Sequence, residues 1–191
     1  MSVAVLIVNF RAYDALERCL VSLEPVLASG DEVVIVDHES DEVSLRRAAA
    51  ACPRAVTLAR PDNPGFAAGV NRAAAASGAP YLLLLNPDTE LVDALPRGLE
   101  AWLAAHPGVG VVGPRVLNTD GTVQPTARRF PGLTTVLGGR STWLTRSFPD
   151  NWFTRRNLTA WRATAPVDVD WLSGACLMTP RAVFDRLGGF D

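Results

Sequence analysis

The chain has 191 residues, 48% hydrophobic and 20% charged, with a formal net charge of −2. That length can bury a real core in one domain, and the composition excludes a disordered or fibrous chain. Charge is spread unevenly: all 18 basic residues are Arg, with 8 against 14 acids in residues 1–114 and 8 against 2 acids in residues 115–162.

In chain order, Val3 to Phe10 is an apolar run and reads as a first buried strand. Tyr13 to Leu27 sets Leu16, Cys19, Leu20, Leu23 and Leu27 at helical spacing. Asp14 and Glu17 lie in its first turn, where the helix dipole favours them, and Ser29-Gly30 ends it. Val33 to Val36 is a second strand that closes on the acidic turn Asp37-His38-Glu39-Ser40-Asp41. A helix over Ser44 to Cys52, a strand over Ala55 to Ala59 and a loop over Arg60 to Gly65 follow. Phe66 to Ala76 then reads as a small-residue helix, Tyr81 to Leu85 as a strand buried on both faces, and about Asp93 to Ala105 as a helix. Such alternation predicts an α/β fold, a mostly parallel Rossmann-like sheet with helices on both faces.

The stretch from Pro80 to Val92 is the one around which the chemistry gathers. Its apolar strand breaks into Asn86-Pro87-Asp88-Thr89-Glu90, turn chemistry with two carboxylates at a strand's carboxyl end. Open α/β sheets bind ligands along that edge, and Asp88 and Glu90 offer hard oxygen ligands for a divalent cation. The alternative is structural, with Asp88 or Thr89 capping the next helix. Three loops carry unusual polar residues, Asp37 to Asp41, Asp62 to Gly65 and Asn86 to Glu90. A parallel sheet would bring all three to one crevice. No Gly-x-Gly-x-x-Gly follows the first strand and no P-loop signature occurs, which argues against a dinucleotide or P-loop site.

Later residues change pattern. Val109 to Val112 reads as a short strand, and Leu117 to Val123 as a hairpin turning on Asp120-Gly121. Arg128 to Arg162 interleaves Arg with Phe and Trp without a clean period. It reads either as a long surface insertion or as a basic aromatic face for peripheral contact with an anionic membrane or a lipid diphosphate. Single-stranded nucleic acid is the lesser choice, given a pI near 5.7, so no nucleic-acid partner is expected. Trp171 to Met178 reads as a strand in which Gly174 marks a close approach to the backbone, and Pro180 opens a last helix ending at Gly188-Gly189.

Cys19, Cys52 and Cys176 show neither metal spacing nor a disulfide framework and read as buried thiols of a reducing compartment. Met1 to Phe10 is too short for a signal peptide or a span, and no window reaches about 18 apolar residues. The expectation is a soluble cytoplasmic protein, with attachment at the inner face of the membrane left open.

Together these residues resemble the inverting glycosyltransferases of family 2, specifically the rhamnosyltransferase-like branch. Val8-Asn9-Phe10 resembles the family's first-strand Val-Asn-Tyr/Phe, and Asp37-His38-Glu39-Ser40 its Asp-Asn-x-Ser turn. Asn63-Pro64-Gly65-Phe66-Ala67-Ala68-Gly69-Val70-Asn71 resembles Asn-x-Gly-Phe-Ala-x-Gly-x-Asn. Asn86-Pro87-Asp88 stands in the place of Asp-x-Asp. Trp171-Leu172-Ser173-Gly174-Ala175 and Gly188-Gly189-Phe190-Asp191 are similar to the acceptor-side motif and the one that follows it.

The resemblance implies a GT-A fold, with residues 1–114 a nucleotide-sugar-binding half and residues 115–191 an acceptor-side half. It implies a nucleotide-sugar donor, dTDP-rhamnose-like or a UDP-sugar, and a cell-surface glycan or polyprenyl-diphosphate-linked acceptor. Asn9, Asp37, Asn63, Gly65, Phe66, Asn71, Asn86 and Asp88 would line the nucleotide-sugar site, Asp88 would hold Mg²⁺ or Mn²⁺, and Trp171, Ser173 and Gly174 would face the acceptor. Asp37 would accept from the imide N–H of uracil or thymine; its alternative is a cap at the start of a helix. His38 departs from the family's Asn, either altering contacts at the base or ribose or standing as a surface substitution. The general base is expected beyond Asp191, which makes the chain a fragment or an enzyme without its base. Asp168 and Asp170 alternate with Val as on the outward face of a strand, and Asp191 is a candidate by elimination. The rival readings are a nucleotide-sugar-binding module without transfer and a nucleotidyltransferase.

Overall fold

A computed structural model describes residues 1–39, 41–124, 126–128, 130, 147 and 165–191. Residues 1–114 and 174–191 form one compact unit and residues 115–173 another. The first holds a five-stranded sheet in the order β3-β2-β1-β4-β9. β1 (Val3–Asn9), β2 (Glu32–Asp37), β3 (Ala55–Ala59) and β4 (Tyr81–Leu85) are parallel; β9 (Cys176–Pro180) runs antiparallel to β4. The apolar runs explain the layering. Successive side chains of a strand point to opposite faces, so a strand apolar throughout needs cover on both.

One face packs Val3, Val5, Ile7, Val33, Ile35, Leu83 and Leu85 against α1 (Tyr13–Leu23), α2 (Glu42–Ala49) and α4 (Leu95–Ala105). The other packs Ala4, Leu6, Val8, Val34, Val36, Leu82 and Leu84 against α3 (Phe66–Ala75), with Phe184 of α5 (Arg181–Leu187) at its margin. Burying each such Leu, Ile or Val contributes roughly 1.5–3 kcal/mol. Small residues on α3 let it lie close to the sheet. A Cβ on Gly69 would stand 2.8 Å from Val8 Cγ1 and 2.9 Å from His38 Nε2.

Several boundaries differ from the sequence expectation, each for a physical reason. α1 ends at Leu23 and Glu24–Val26 tightens into a 3₁₀ turn, because Pro25 cannot donate to a continuing helix. α2 starts earlier than Ser44, since Asp41 caps it and accepts from the N–H groups of Val43 and Ser44, both at 3.2 Å. Pro180 ends β9 and stands at the N-cap of α5, not at its first position. Val109 to Val112 is no strand; its one ladder contact is the bridge from Val112 to Met178.

The expected strand over Trp171 to Met178 is broken at Ser173-Gly174. Its halves have different partners: β8 (Trp171–Leu172) pairs with β7 (Ala127–Arg128) in the second unit, while β9 joins the main sheet. That second unit also holds the hairpin of β5 (Val116–Leu117) and β6 (Val123–Gln124), with Gly121 of its turn at φ +79°. Most of the basic aromatic stretch Arg128 to Arg162 lies outside the described residues. Among the described residues no helix is long and apolar enough to cross a membrane.

Candidate functional site

Strand order reverses direction between β1 and β4, so the carboxyl ends of β1, β2 and β4 bound the crevice where doubly wound sheets take ligands. Asn9 closes β1 and Asp37 closes β2, and the two are register partners. Both are fully buried, and Asn9 Nδ2 donates to Asp37 Oδ1 at 2.6 Å. Tyr13, which sequence reasoning missed, donates its hydroxyl to Asp37 Oδ2 at 3.1 Å and accepts from the Asp41 N–H at 3.2 Å. Burial, with the nearby carboxylates, pushes the Tyr13 phenol above its ordinary range. Asp37 is thus a buried anchor of this edge. It does not cap α2; Asp41 does.

His38 is 3% exposed, so it is not a surface substitution. Its N–H donates to Asn9 O at 3.0 Å and its Nδ1 lies 3.1 Å from Arg60 O. Among the described residues His38 Nε2 and Asn9 Oδ1 are buried polar atoms without a hydrogen bond. Glu39 is occupied by an ion pair with Arg11 at 2.8 Å. Of the five-residue acidic turn, therefore, Glu39 and Asp41 serve the fold.

The loop into α3 is set by backbone geometry. Asn63 has φ +38° and Gly65 φ +95°, a left-handed conformation that Asn tolerates and Gly favours. Gly65 is the N-cap of α3 and offers no side chain to the first-turn N–H groups. Phe66 is 44% exposed. Its Cε1 would lie 3.8 Å from a Cβ on Gly174, so a residue expected on the donor side and one expected on the acceptor side meet at this edge.

Asn86 to Thr89 is a turn closed by Thr89 N–H donating to Asn86 O at 3.1 Å, and Asn86 N–H donates to Ala175 O at 2.9 Å. α4 starts only at Leu95 with Ala94 as N-cap, so neither Asp88 nor Thr89 is a cap. Asp88 is exposed, and its carboxylate has no hydrogen-bond or ion-pair partner among the described residues. Glu90 differs: it pairs with Arg18 at 3.0 Å. Below this turn Cys19 Sγ approaches Asn86 O at 3.8 Å. Burial first, then the charges of neighbours including Asp88, push the Cys19 thiol up to about 12.

Other expected residues have the following partners. Asn71 bonds to the backbone of Phe190. Trp171 and Ser173 belong to the second unit, where Ser173 N–H donates to Thr126 O at 2.7 Å. Residues 167–170 are not a strand; Asp170 Oδ2 accepts from the Phe130 N–H at 2.8 Å, and Asp168 is exposed. Among the described residues no three His, Cys, Asp or Glu side chains group as metal ligands. A cation at Asp88 would thus take one protein carboxylate and complete its shell with water and phosphate oxygens, the arrangement Mg²⁺ commonly adopts.

This mostly parallel sheet, with helices on both faces and an acidic turn at its switch point, defines an α/β nucleotide-sugar transferase fold of the GT-A kind. The chain belongs to glycosyl transferase family 2, whose profile matches residues 4–186. It is 30% identical to an N-acetylglucosaminyl-diphospho-decaprenol L-rhamnosyltransferase of Mycobacterium tuberculosis, over 92% of this chain and 60% of that protein. It is 36% identical to an O-antigen biosynthesis protein of Myxococcus xanthus, over 73% of this chain and 10% of that one. The chain thus spans about 60% of the length of the mycobacterial relative. In structure it is similar to a mannosyltransferase of Pyrobaculum calidifontis solved with GDP-Man and Mn²⁺, with a TM-score of 0.66 at 19% identity over 99% of this chain and 47% of that one. It also resembles mannosyl-3-phosphoglycerate synthase of Rubrobacter xylanophilus, with a TM-score of 0.55 at 15% identity over 96% of this chain and 55% of that one. These likenesses are of fold.

Proposed function

We propose that the chain binds a nucleotide-sugar at the carboxyl edge of β1, β2 and β4 and transfers the sugar, with inversion, to a glycan or polyprenyl-diphosphate-linked acceptor. The observation that carries this reading is Asp88, an exposed carboxylate unpaired among the described residues, in a turn at the carboxyl end of the interior strand β4. A divalent cation, Mg²⁺ or Mn²⁺, held there would neutralise charge on the departing nucleoside diphosphate. Asn63, Gly65, Phe66 and Asn86 line the donor's side, and Asn9 with Tyr13 fixes the buried Asp37 beneath it. Trp171, Ser173 and Gly174 serve the acceptor in this reading, which divides the chain into a donor half, residues 1–114, and an acceptor half from residue 115. The mycobacterial relative favours a dTDP-rhamnose-like donor, with a UDP-sugar next, and an acceptor of the N-acetylglucosaminyl-diphospho-lipid class. Peripheral contact with a membrane surface follows from such an acceptor. Inversion needs a base to take the acceptor's hydroxyl proton, and none of the described carboxylates is given that role.

The test is calorimetric titration of dTDP and UDP into the protein with and without Mn²⁺, beside Asp88→Ala. The wild type should bind one of them in a metal-dependent manner, and the variant should lose at least tenfold in affinity while keeping its circular dichroism. Equal metal-dependent affinity in the two would overturn the role of Asp88. Absence of binding in both would overturn the donor reading itself.

A further inference from the structure

The family resemblance places Asn71 in the nucleotide pocket, yet its carboxamide is spent elsewhere. Nδ2 donates to Phe190 O at 2.8 Å, and Oδ1 accepts from Phe190 N–H at 2.9 Å. A side chain that satisfies both peptide groups of one residue imitates a strand partner, and it does so across 119 positions of sequence. The receiving turn is shaped for it. Gly188 and Gly189 both hold left-handed φ, at +81° and +86°, and a Cβ on Gly189 would lie 2.5 Å from Asn71 Oδ1. Phe190 then sets its ring edge-on to Phe184, with centroids 5.9 Å apart.

The far end of the same segment is pinned to the same helix. Arg181 Nε donates to Ala79 O at 2.7 Å, Nη1 to Ala74 O at 3.1 Å and Nη2 to Ser77 Oγ at 2.7 Å, which satisfies one carbonyl in the last turn of α3 and one beyond it. Direction follows from register. β9 runs from Cys176 opposite Leu85 to Pro180 opposite Tyr81, so α5 starts at the amino edge of the parallel strands. It returns antiparallel to α3, from that helix's carboxyl end toward Asn71. Asn71 is five residues beyond Phe66 at the start of α3, about 7.5 Å along the helix axis. The chain at Asp191 is therefore returning to the edge that holds Gly65 and Asp88.

We propose that Asn71 is a positioning residue and not a nucleotide contact: its carboxamide latches the Gly188–Asp191 turn to α3 and so fixes where the chain re-approaches the donor edge. The consequence for turnover rests on the sugar-transfer reading; the latch itself does not.

Hydrogen exchange over residues 182–191 and titration of dTDP with Mn²⁺ test this on the wild type, Asn71→Ala and Asn71→Asp. Asn71→Ala should speed exchange at the Phe190 amide at least tenfold. Asn71→Asp keeps the accepting oxygen but sets an oxygen that cannot donate against Phe190 O, and should restore only part of that protection. Nucleotide affinity should stay within twofold of wild type in both variants. In transfer assays with a dTDP-sugar and an N-acetylglucosaminyl-diphospho-lipid, Asn71→Ala should lower kcat at least tenfold with donor KM within twofold. Unchanged exchange at Phe190, or an affinity loss of tenfold or more, would overturn the latch, and an unchanged kcat would overturn the positioning role. Should the wild type not transfer, whether or not it binds, the sugar-transfer reading fails for this chain and the positioning role in turnover falls with it, while exchange at Phe190 still decides the latch.

Discussion

The two edges of the main sheet differ in what they leave unmatched. At the amino edge Asp31 is 6% exposed and fully committed. It accepts from the N–H groups of Val3 at 2.9 Å and Ala28 at 2.8 Å and pairs with Arg97, which also reaches Glu100. Glu32 beside it accepts from Gly78 N–H at 3.0 Å. The Asp31 and Glu32 contacts tie α4 and two loops to the starts of β1 and β2. At the carboxyl edge the side chains of Asn63, Asn86 and Asp88 have no hydrogen-bond partner among the described residues. A charge matched within the protein stabilises the fold; one left unmatched at a strand end is available to something outside it.

Breaking the amino edge should cost most. Arg97→Ala leaves the Asp31 carboxylate buried without its cation and should lower unfolding stability by roughly 3 kcal/mol in urea denaturation. Nucleotide affinity of the folded variant should not change, and a large change there would erase the distinction between the edges. Gly69→Ala drives a methyl into Val8 and His38, and should cost about 1–3 kcal/mol by overpacking. Asp88→Ala should shift stability by less than about 0.5 kcal/mol, because the side chain is exposed and bonds to none of the described residues. A larger loss would make the carboxyl edge structural as well.

A further expected effect concerns pH. Burial pushes the Cys19 and Cys176 thiols beneath this edge up to about 12, against an ordinary value of 9.0. A group that holds its proton more tightly when folded stabilises fully below its unfolded value and loses that contribution as pH climbs. The denaturation midpoint should therefore fall between pH 9 and pH 12, and both thiols should resist alkylation at pH 8 until the protein unfolds. A midpoint that rises over that interval would contradict the burial.

Much of this was legible because the signals are local. Three apolar runs give β1, β2 and β4, and the spacing of Leu16, Cys19, Leu20 and Leu23 gives the buried face of α1. The stop at Pro25 was also there to be read. Asp88 stood out because turn chemistry after a buried strand needs no tertiary knowledge. The break at Ser173-Gly174 was not legible, since it depends on Ala127–Arg128 pairing with Trp171–Leu172 across more than forty residues of intervening chain. Nor was the split among the acids of the second turn. Asp37, Glu39 and Asp41 look alike in sequence, but Asn9 and Tyr13, Arg11, and the start of α2 claim one each. The bond from Asn71 was illegible for the same reason, because its partner Phe190 comes from the opposite end of the chain.

The bond between Asn9 and Asp37 has an evolutionary corollary. Two fully enclosed polar side chains at facing ends of neighbouring strands constrain each other, so drift at one position without a matching change at the other leaves a buried carboxylate short of a donor or a buried amide without its acceptor. Lineages that replace Asp37 with an uncharged residue should be found to have altered position 9 as well, and the pair should be inherited as a single character.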